Sequence, residues 1–466
     1  MQASFGDHKL MNPYAKYKNL EQVMTAVGGP VKLLRSSPIG PYVFPVVPPE
    51  FTNWREEQRA WKEACALLNL SYHMTDLYIK GPDCKALLSK VGLTKLGAFP
   101  VNRGKQLIAS SHDGYMIGDG ICFHLEEDLY RVVGPPVISD WVQFHAETGG
   151  FNVEVDRDET VAFRPGAPRI YIYQIQGPLA LQLMKEVTKG TLPEIGFFHI
   201  GEFTIEGKRV RALRHGMAGE PGFEMFGPWE DAEVIMSALE RTGEQYGLKK
   251  IGALAYPTTT LESGWMPLPV PAVYHSEEMK AFREWCTPNH IEVLGSVGGS
   301  FYSDNIVDYY MDPVELGHAQ FIDFNRDFIG RDALVEKVAN QKRKKVTLVW
   351  NQDDMMDVVR TSMFPDGTPS KFMNMPLSVY STFQCDSILK NGKQAGLCQY
   401  SGYSVNAQAF LSLSVVDLEF AEPGTEVTIL WGEENSWRPT VEKNKAREVR
   451  ATVAPAPYFQ KTIKKD

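Results

Sequence analysis

Four consecutive basic residues, Lys342-Arg-Lys-Lys345, divide this chain into two parts of different hydrophobic periodicity. Downstream, Val346–Trp350, Leu377–Tyr380, Ala409–Val415 and Val427–Trp431 alternate or run apolar between Gly and Pro turns. That pattern predicts an all-β C-terminal domain over 346–466, a β-barrel or a jelly-roll-like arrangement. Upstream, over 1–345, helical spacing and strand alternation interleave, which predicts an α+β region. The basic run itself reads as a solvated linker. With 466 residues and 43% hydrophobic content, the chain can bury two or three cores.

In the upstream part, a short arm precedes a helix carrying Leu20, Val23, Met24 and Val27 at helical spacing. Ile39–Pro49 is rich in proline and aromatics and reads as extended. Tyr42 and Phe44 share one face of it, as a packed edge or as a pocket wall. Phe51–Leu68 reads as a helix with Trp54 and Trp61 one heptad apart. Leu70–Ile79 alternates as a strand, carries His73 and ends at the turn Gly81-Pro82-Asp83, after which Cys84–Val91 reads as a helix. Asp119 lies in Gly118-Asp119-Gly120, which by composition alone is a turn. Leu129–Gly134 reads as a strand and Ser139–Thr148 as a helix. The strand through Tyr171–Gln176 turns at Gly177, where Gln176 could serve the turn or a pocket. A helical run, Trp229–Tyr246, leads into Gly252–Gly264 (GALAYPTTTLESG) and the proline-rich segment Trp265–Tyr274.

Net charge is −9, with no basic stripe, so the footprint of a nucleic-acid binder is missing. No apolar run reaches the roughly 18 residues that a membrane span needs. The six cysteines form no C-x-x-C pair, which suggests reduced thiols and a cytoplasmic compartment. The polar N-terminus gives no expectation of a signal peptide. Phosphate-binding loops, zinc spacings and nucleophile elbows are absent, so no metal is expected. What remains is chemistry carried by an organic cofactor. Nothing in the sequence decides between monomer and homo-oligomer.

Five segments, in chain order, resemble the aminomethyltransferase (glycine cleavage T-protein) family. Gly114–Phe123 is similar to that family's Gly-Gly-Met-Ile-Asp-Asp-Leu-Ile-Val, with Asp119 at the second Asp. Tyr171–Ala180 resembles Leu-Gln-Gly-Pro-x-Ala. Arg214–Glu224 resembles Arg-x-x-Tyr-Thr-Gly-Glu-x-Gly-Phe-Glu. Gly252–Gly264 keeps the frame Gly-Ala…Leu-Glu-x-Gly, with Tyr256, Pro257 and Thr260 where the family has Arg, Asp and Arg. Phe324–Val338 resembles Asp-Phe-Ile-Gly-(Lys/Arg)-(Glu/Asp)-Ala-Leu. Leu70–Asp83 also resembles the family's opening, small-x-x-His-Met followed by a Gly-Pro-Asp turn, and Gly396–Ser404 its Gly-x-x-Thr-Ser-Gly-x-x-Ser segment. Tyr256-Pro257 with Leu261-Glu-Ser-Gly-Trp265, and the position of His73, are similar to a narrower branch, the tetrahydrofolate-dependent O-demethylases of lignin-derived methoxybenzoates.

The resemblance implies a three-domain folate-binding fold of class α+β. It implies tetrahydrofolate as methyl acceptor and a small aromatic substrate such as syringate, vanillate or 3-O-methylgallate. Tyr256 and Asp119 are then the expected catalytic residues. Glu224, Gln176, Phe223 and Trp265 would bind the folate, and His73, Tyr42 and Phe44 the aromatic ring. A tyrosine, ordinarily near pKa 10, is matched to protonating a departing phenolate. Close vanillate-type relatives carry an Arg in the segment matching Gly134–Val137, and this chain has none. On the same scaffold the alternatives are aminomethyl transfer, demethylation of dimethylsulfoniopropionate, or a folate-binding protein without catalysis.

Overall fold

The computed structural model describes residues 12–42, 44, 46–164 and 166–462. The expected N-terminal arm lies largely outside them, and the helix after it is Leu20–Val27, capped by Asn19, whose side chain accepts from the Gln22 amide. Two sheets and a barrel form the body. The first sheet runs in the order Lys249–Ile251, Ala66–Asn69, Ile170–Gln176, Gly222–Pro228, Lys208–Arg214, Ile200–Ile205. The second, antiparallel, runs Arg103–Ser110, Met116–Glu126, Leu129–Gly134, Thr75–Lys80, Glu154–Asp158. Six antiparallel strands between Arg343 and Ala454 close into a C-terminal barrel.

Several expectations change. The predicted helix Phe51–Leu68 stops at Glu63, and Ala66–Asn69 becomes a strand paired on both sides. A short apolar run of this kind satisfies either periodicity, and sheet burial decides it. The predicted strand Leu70–Ile79 begins only at Thr75, because residues 70–74 carry the chain from the first sheet to the second. His73 therefore stands in a crossover, not on a strand. Asp119 lies inside a strand opposite Ile108, not in a turn. The basic run is no solvated linker: Arg343 opens the first barrel strand and pairs with Glu315 at 2.8 Å.

The C-terminal part also holds a helix, Gln352–Met363, capped by Asn351. Leu377–Tyr380 forms no strand and meets the sheet only by a bridge from Leu377 to Gly402. Among the described residues no helix is long and apolar enough to cross a membrane, and no cluster of side chains could hold a metal ion. All six cysteines are free and buried.

Gly252–Gly264 sits where these bodies meet. The Gly252 amide donates to Glu57 Oε2 at 2.8 Å. Glu262, buried, accepts from Trp61 Nε1 at 2.9 Å, Ser404 Oγ at 2.7 Å and Asn406 Nδ2 at 3.0 Å. Gly264 has φ +72°, and a Cβ there would stand 2.8 Å from Pro457 Cα, so only glycine fits. Replacing Glu262 by Ala leaves three donors without their acceptor in a dry site. We expect Glu262→Ala to cost about 3 kcal/mol in urea unfolding, with Glu262→Gln losing less. A change within about 0.5 kcal/mol would show that the clamp is not stabilising.

Candidate active site

Two adjoining cavities share part of their walls, and the smaller reaches the barrel. The larger, about 790 Å³, has apolar walls that include Leu70, Ile121 and Ile172, with Asp119 and Glu224 among them. The smaller, about 70 Å³, is walled by Tyr42, Phe44 and His73, and on the barrel side by Gln399 and Tyr400. Met74, Pro135, Met217, Tyr256 and Trp265 belong to both walls.

Tyr256 begins a single 3₁₀ turn, Tyr256–Thr258, in which Pro257 supplies the fixed φ. Its hydroxyl lies 3.0 Å from His73 Nε2. Phe44 meets both rings edge-on, with centroids 4.8 Å from His73 and 5.0 Å from Tyr256. Tyr42 donates to the His73 carbonyl and so fixes the crossover. Burial pushes His73 down to about 3, so the imidazole is neutral. Burial, then the nearby Glu224 carboxylate, holds the Tyr256 hydroxyl far above its ordinary range. The matched acidity expected from the residue type is therefore not what the unliganded site provides. Tyr256 is a firmly protonated donor.

Asp119 projects from its strand into the larger cavity. Its Oδ2 accepts from Trp265 Nε1 at 2.9 Å and from Gln106. Burial raises its carboxyl, while those two hydrogen bonds and the Lys345 charge oppose the rise. Lys345, from the basic run, is pushed down to about 8 by burial and by Lys461.

Glu224 is buried and, among the described residues, its carboxylate has one long contact, from Gln174 Nε2 at 3.5 Å. Burial pushes it up to about 7; Arg131 opposes the rise and Asp76 adds to it. An under-satisfied carboxylate on the wall of a large apolar cavity calls for a ligand with a row of N–H donors.

The structure separates the other expected residues. Phe223 pairs with Ile175 and, by strand alternation, turns from the cavity into the core with Leu183 and Ile235. Gln176 lies under the Gly216–Gly219 loop, where its Oε1 accepts from the Ala218 amide at 2.8 Å. It holds the loop and does not line the cavity. Gln174, two residues earlier on the same face, holds the Met217 amide at 3.1 Å and touches Glu224. The sequence reading missed Gln174, which period-two alternation from Gln176 would have found. Arg131, between the Phe123 and Phe226 rings at 4.2 and 4.3 Å, had no such signal.

The family model of the GCVT N-terminal domain matches residues 20–268. This chain belongs to that family. It is 42% identical over 445 residues to a syringate O-demethylase of Sphingobium sp. (strain NBRC 103272 / SYK-6), covering 95% of this chain and 96% of that protein. It is 29% identical to a sesamin methylene transferase of Sinomonas sp. (strain No.22), covering 89% and 91% of the two chains. The fold matches the crystal structure of glycine cleavage system aminomethyltransferase T from Bartonella henselae, with a TM-score of 0.59 at 16% identity over 91% of this chain and 92% of that one. The residues matched to the family model, up to Leu268, contribute Asp119, Glu224, Tyr256 and Trp265 to the cavities. The barrel contributes Gln399 and Tyr400.

Glu224 makes stability depend on pH. Its folded value, about 7, stands above the ordinary 4.5, so the folded state holds the proton more tightly. Its contribution is complete below about 4.5 and is lost as pH rises through about 7. Unfolding of the unliganded protein at pH 5 and pH 8 is expected to show a loss of up to about 3 kcal/mol from this group. Glu224→Gln should remove that part of the slope, and an unchanged slope in the variant would contradict the assignment.

Proposed function

We propose that this chain is a tetrahydrofolate-dependent O-demethylase that moves the methyl group of a lignin-derived methoxybenzoate to tetrahydrofolate. The products are 5-methyltetrahydrofolate and a catechol- or gallate-type phenol. The substrate is syringate, vanillate or 3-O-methylgallate. The observation that carries this reading is the position of Tyr256, on the wall common to two cavities of different size. The near full-length likeness to a syringate O-demethylase supports the same reading.

The larger cavity suits the folate. Its volume lies within the usual 300–1,000 Å³ of ligand pockets. Glu224 offers the acceptor pair that a pterin edge requires. Gly216, whose Cβ would stand 2.4 Å from the Glu220 carbonyl, keeps the adjoining loop tight. When bound, tetrahydrofolate supplies the secondary amine nitrogen that accepts the methyl group. The ring of the methoxybenzoate takes the smaller cavity among Tyr42, Phe44 and His73.

In the reaction the C–O bond of the ether breaks and an N–C bond forms. One proton leaves the amine side and one reaches the phenolate oxygen. Tyr256 donates at the ether oxygen. In the tautomer with its proton on Nε2, His73 donates to Tyr256 Oη and leaves the tyrosine O–H free for the ether. That hydrogen bond also offsets the cost of negative charge on Tyr256 in a dry site. Asp119, held by Trp265 and Gln106, stabilises positive charge on the amine side and takes up its proton. Aminomethyl transfer has less support here, because Tyr256 and Thr260 stand where that branch of the family carries Arg. We divide the chain into a folate-binding core over 1–345 and a β-domain over 346–466. We place it in the cytoplasm, on the strength of six free thiols.

Incubation with tetrahydrofolate and each of the three acids is expected to give 5-methyltetrahydrofolate and the demethylated phenol in equal amounts. Tyr256→Phe should lower kcat by about 10²–10⁴ with little effect on folate binding. Retained folate binding with no product from any of the acids would overturn the reading.

A further inference from the structure

Among the polar side chains that line the smaller cavity and that the mechanism leaves unused, Gln399 has an atom without a partner. Gln399 is 3% exposed. Its Nε2 donates to Cys385 Sγ at 3.6 Å, but its Oε1 is buried with no hydrogen-bond partner among the described residues. A buried carbonyl oxygen in that state is a vacant acceptor.

The backbone puts it there by a local irregularity. The strand Lys393–Ser404 pairs with Ala409–Asp417 as Cys398 opposite Ser414, then Tyr400 opposite Leu413. Gln399 is the extra residue of a β-bulge. Regular alternation would send Gln399 and Tyr400 to opposite faces, yet both line the cavity. Re-aiming a side chain beside a site is what bulges do.

The character of the site selects the group it takes. Among the described residues lining the smaller cavity there is no Lys or Arg. Arg438, close behind Ser381, has its Nε and Nη2 engaged on the carbonyls of Ser37, Ile39 and Tyr380, while its Nη1 makes no hydrogen bond among the described residues and stands 3.8 Å from Glu433, which balances its charge. Ser381 and Thr382 already donate, to Gln384 Oε1 and to the Gly40 carbonyl. The cavity is thus poorly suited to an anion. It offers an acceptor to a neutral O–H.

We propose that Gln399 is a specificity-determining residue whose side-chain carbonyl accepts the free ring hydroxyl of the substrate. This rests on the demethylase reading above and deepens it. A site built around a hydrogen bond to a hydroxyl rejects an analogue without one far more strongly than packing alone can, because the acceptor is then left buried and unpaired. The enzyme would therefore select 4-hydroxy-3-methoxybenzoates over rings whose hydroxyl is already methylated. The carboxylate of the acid would sit elsewhere than on the Gln399–Tyr400 wall.

The test compares kcat/KM for vanillate and for 3,4-dimethoxybenzoate, and likewise for syringate and 3,4,5-trimethoxybenzoate, with tetrahydrofolate saturating. The wild type should favour the free hydroxyl at least about 100-fold. Gln399→Met, which keeps the volume and removes the acceptor, should cut that preference to below about tenfold by raising KM for the hydroxylated acid. Gln399→Glu, which keeps an acceptor oxygen, should retain most of the preference. Equal rates for both members of each pair in the wild type would overturn the proposal, as would an undiminished preference in a folded Gln399→Met. No turnover of any acid by the wild type would instead overturn the demethylase reading itself.

Discussion

A single buried carboxylate ties the functional loop to the rest of the molecule. Glu262 accepts from Trp61 on the helix Trp54–Glu63 and from Ser404 and Asn406 at the end of a barrel strand. Glu57, on the same helix, accepts from the Gly252 amide. The turn carrying Tyr256 is therefore held from both ends by one helix, and from the far side by the barrel. A carboxylate of this kind is tolerable in a dry interior only because every partner is a hydrogen-bond donor in place. The same donors fix where the Tyr256 hydroxyl stands relative to His73. Preorganisation of the site thus begins with a clamp that touches no ligand.

Desolvation sets the protonation of everything around that hydroxyl. His73 is neutral, Tyr256 is held protonated, and Asp119 and Glu224 are both raised by burial. The groups that carry charge at neutral pH lie on the side of the larger cavity. The smaller cavity is lined by neutral groups. This asymmetry matches the reaction, in which positive charge develops at an amine and a neutral phenol must leave. It also explains why a substrate hydroxyl, not a carboxylate, finds its complement at Gln399.

Much of this was legible in the sequence, for physical reasons. Gly252–Gly264 stood out because it keeps the family frame Gly-Ala…Leu-Glu-x-Gly, and the structure gives a reason for the last position: Gly264 has φ +72° and no room for a Cβ. The all-β character of the C-terminal part followed from alternation beyond Lys345; that its strands close into a barrel did not. What was not legible depends on contacts between distant segments. Ala66–Asn69 looked helical because its apolar run is too short to show a period. Gln176 and Phe223 were misplaced because the face of a strand is known only relative to its sheet, and Gln174 faces Glu224 in their stead. Lys345 looked like part of a solvated linker because a charge run carries no sign of the barrel that buries it. The bulge at Gln399 has no sequence signature.

The central claim is that Tyr256 donates a proton to the ether oxygen as the C–O bond breaks. The most direct measurement is the rate of methyl transfer across a series of ring-substituted methoxybenzoates whose product phenols differ in acidity, for the wild type and for Tyr256→Phe. Proton donation predicts a shallow dependence on phenol acidity in the wild type and a steep one in the variant, which must expel the bare phenolate. The same slope in both proteins would contradict the claim and reduce Tyr256 to a wall of the cavity.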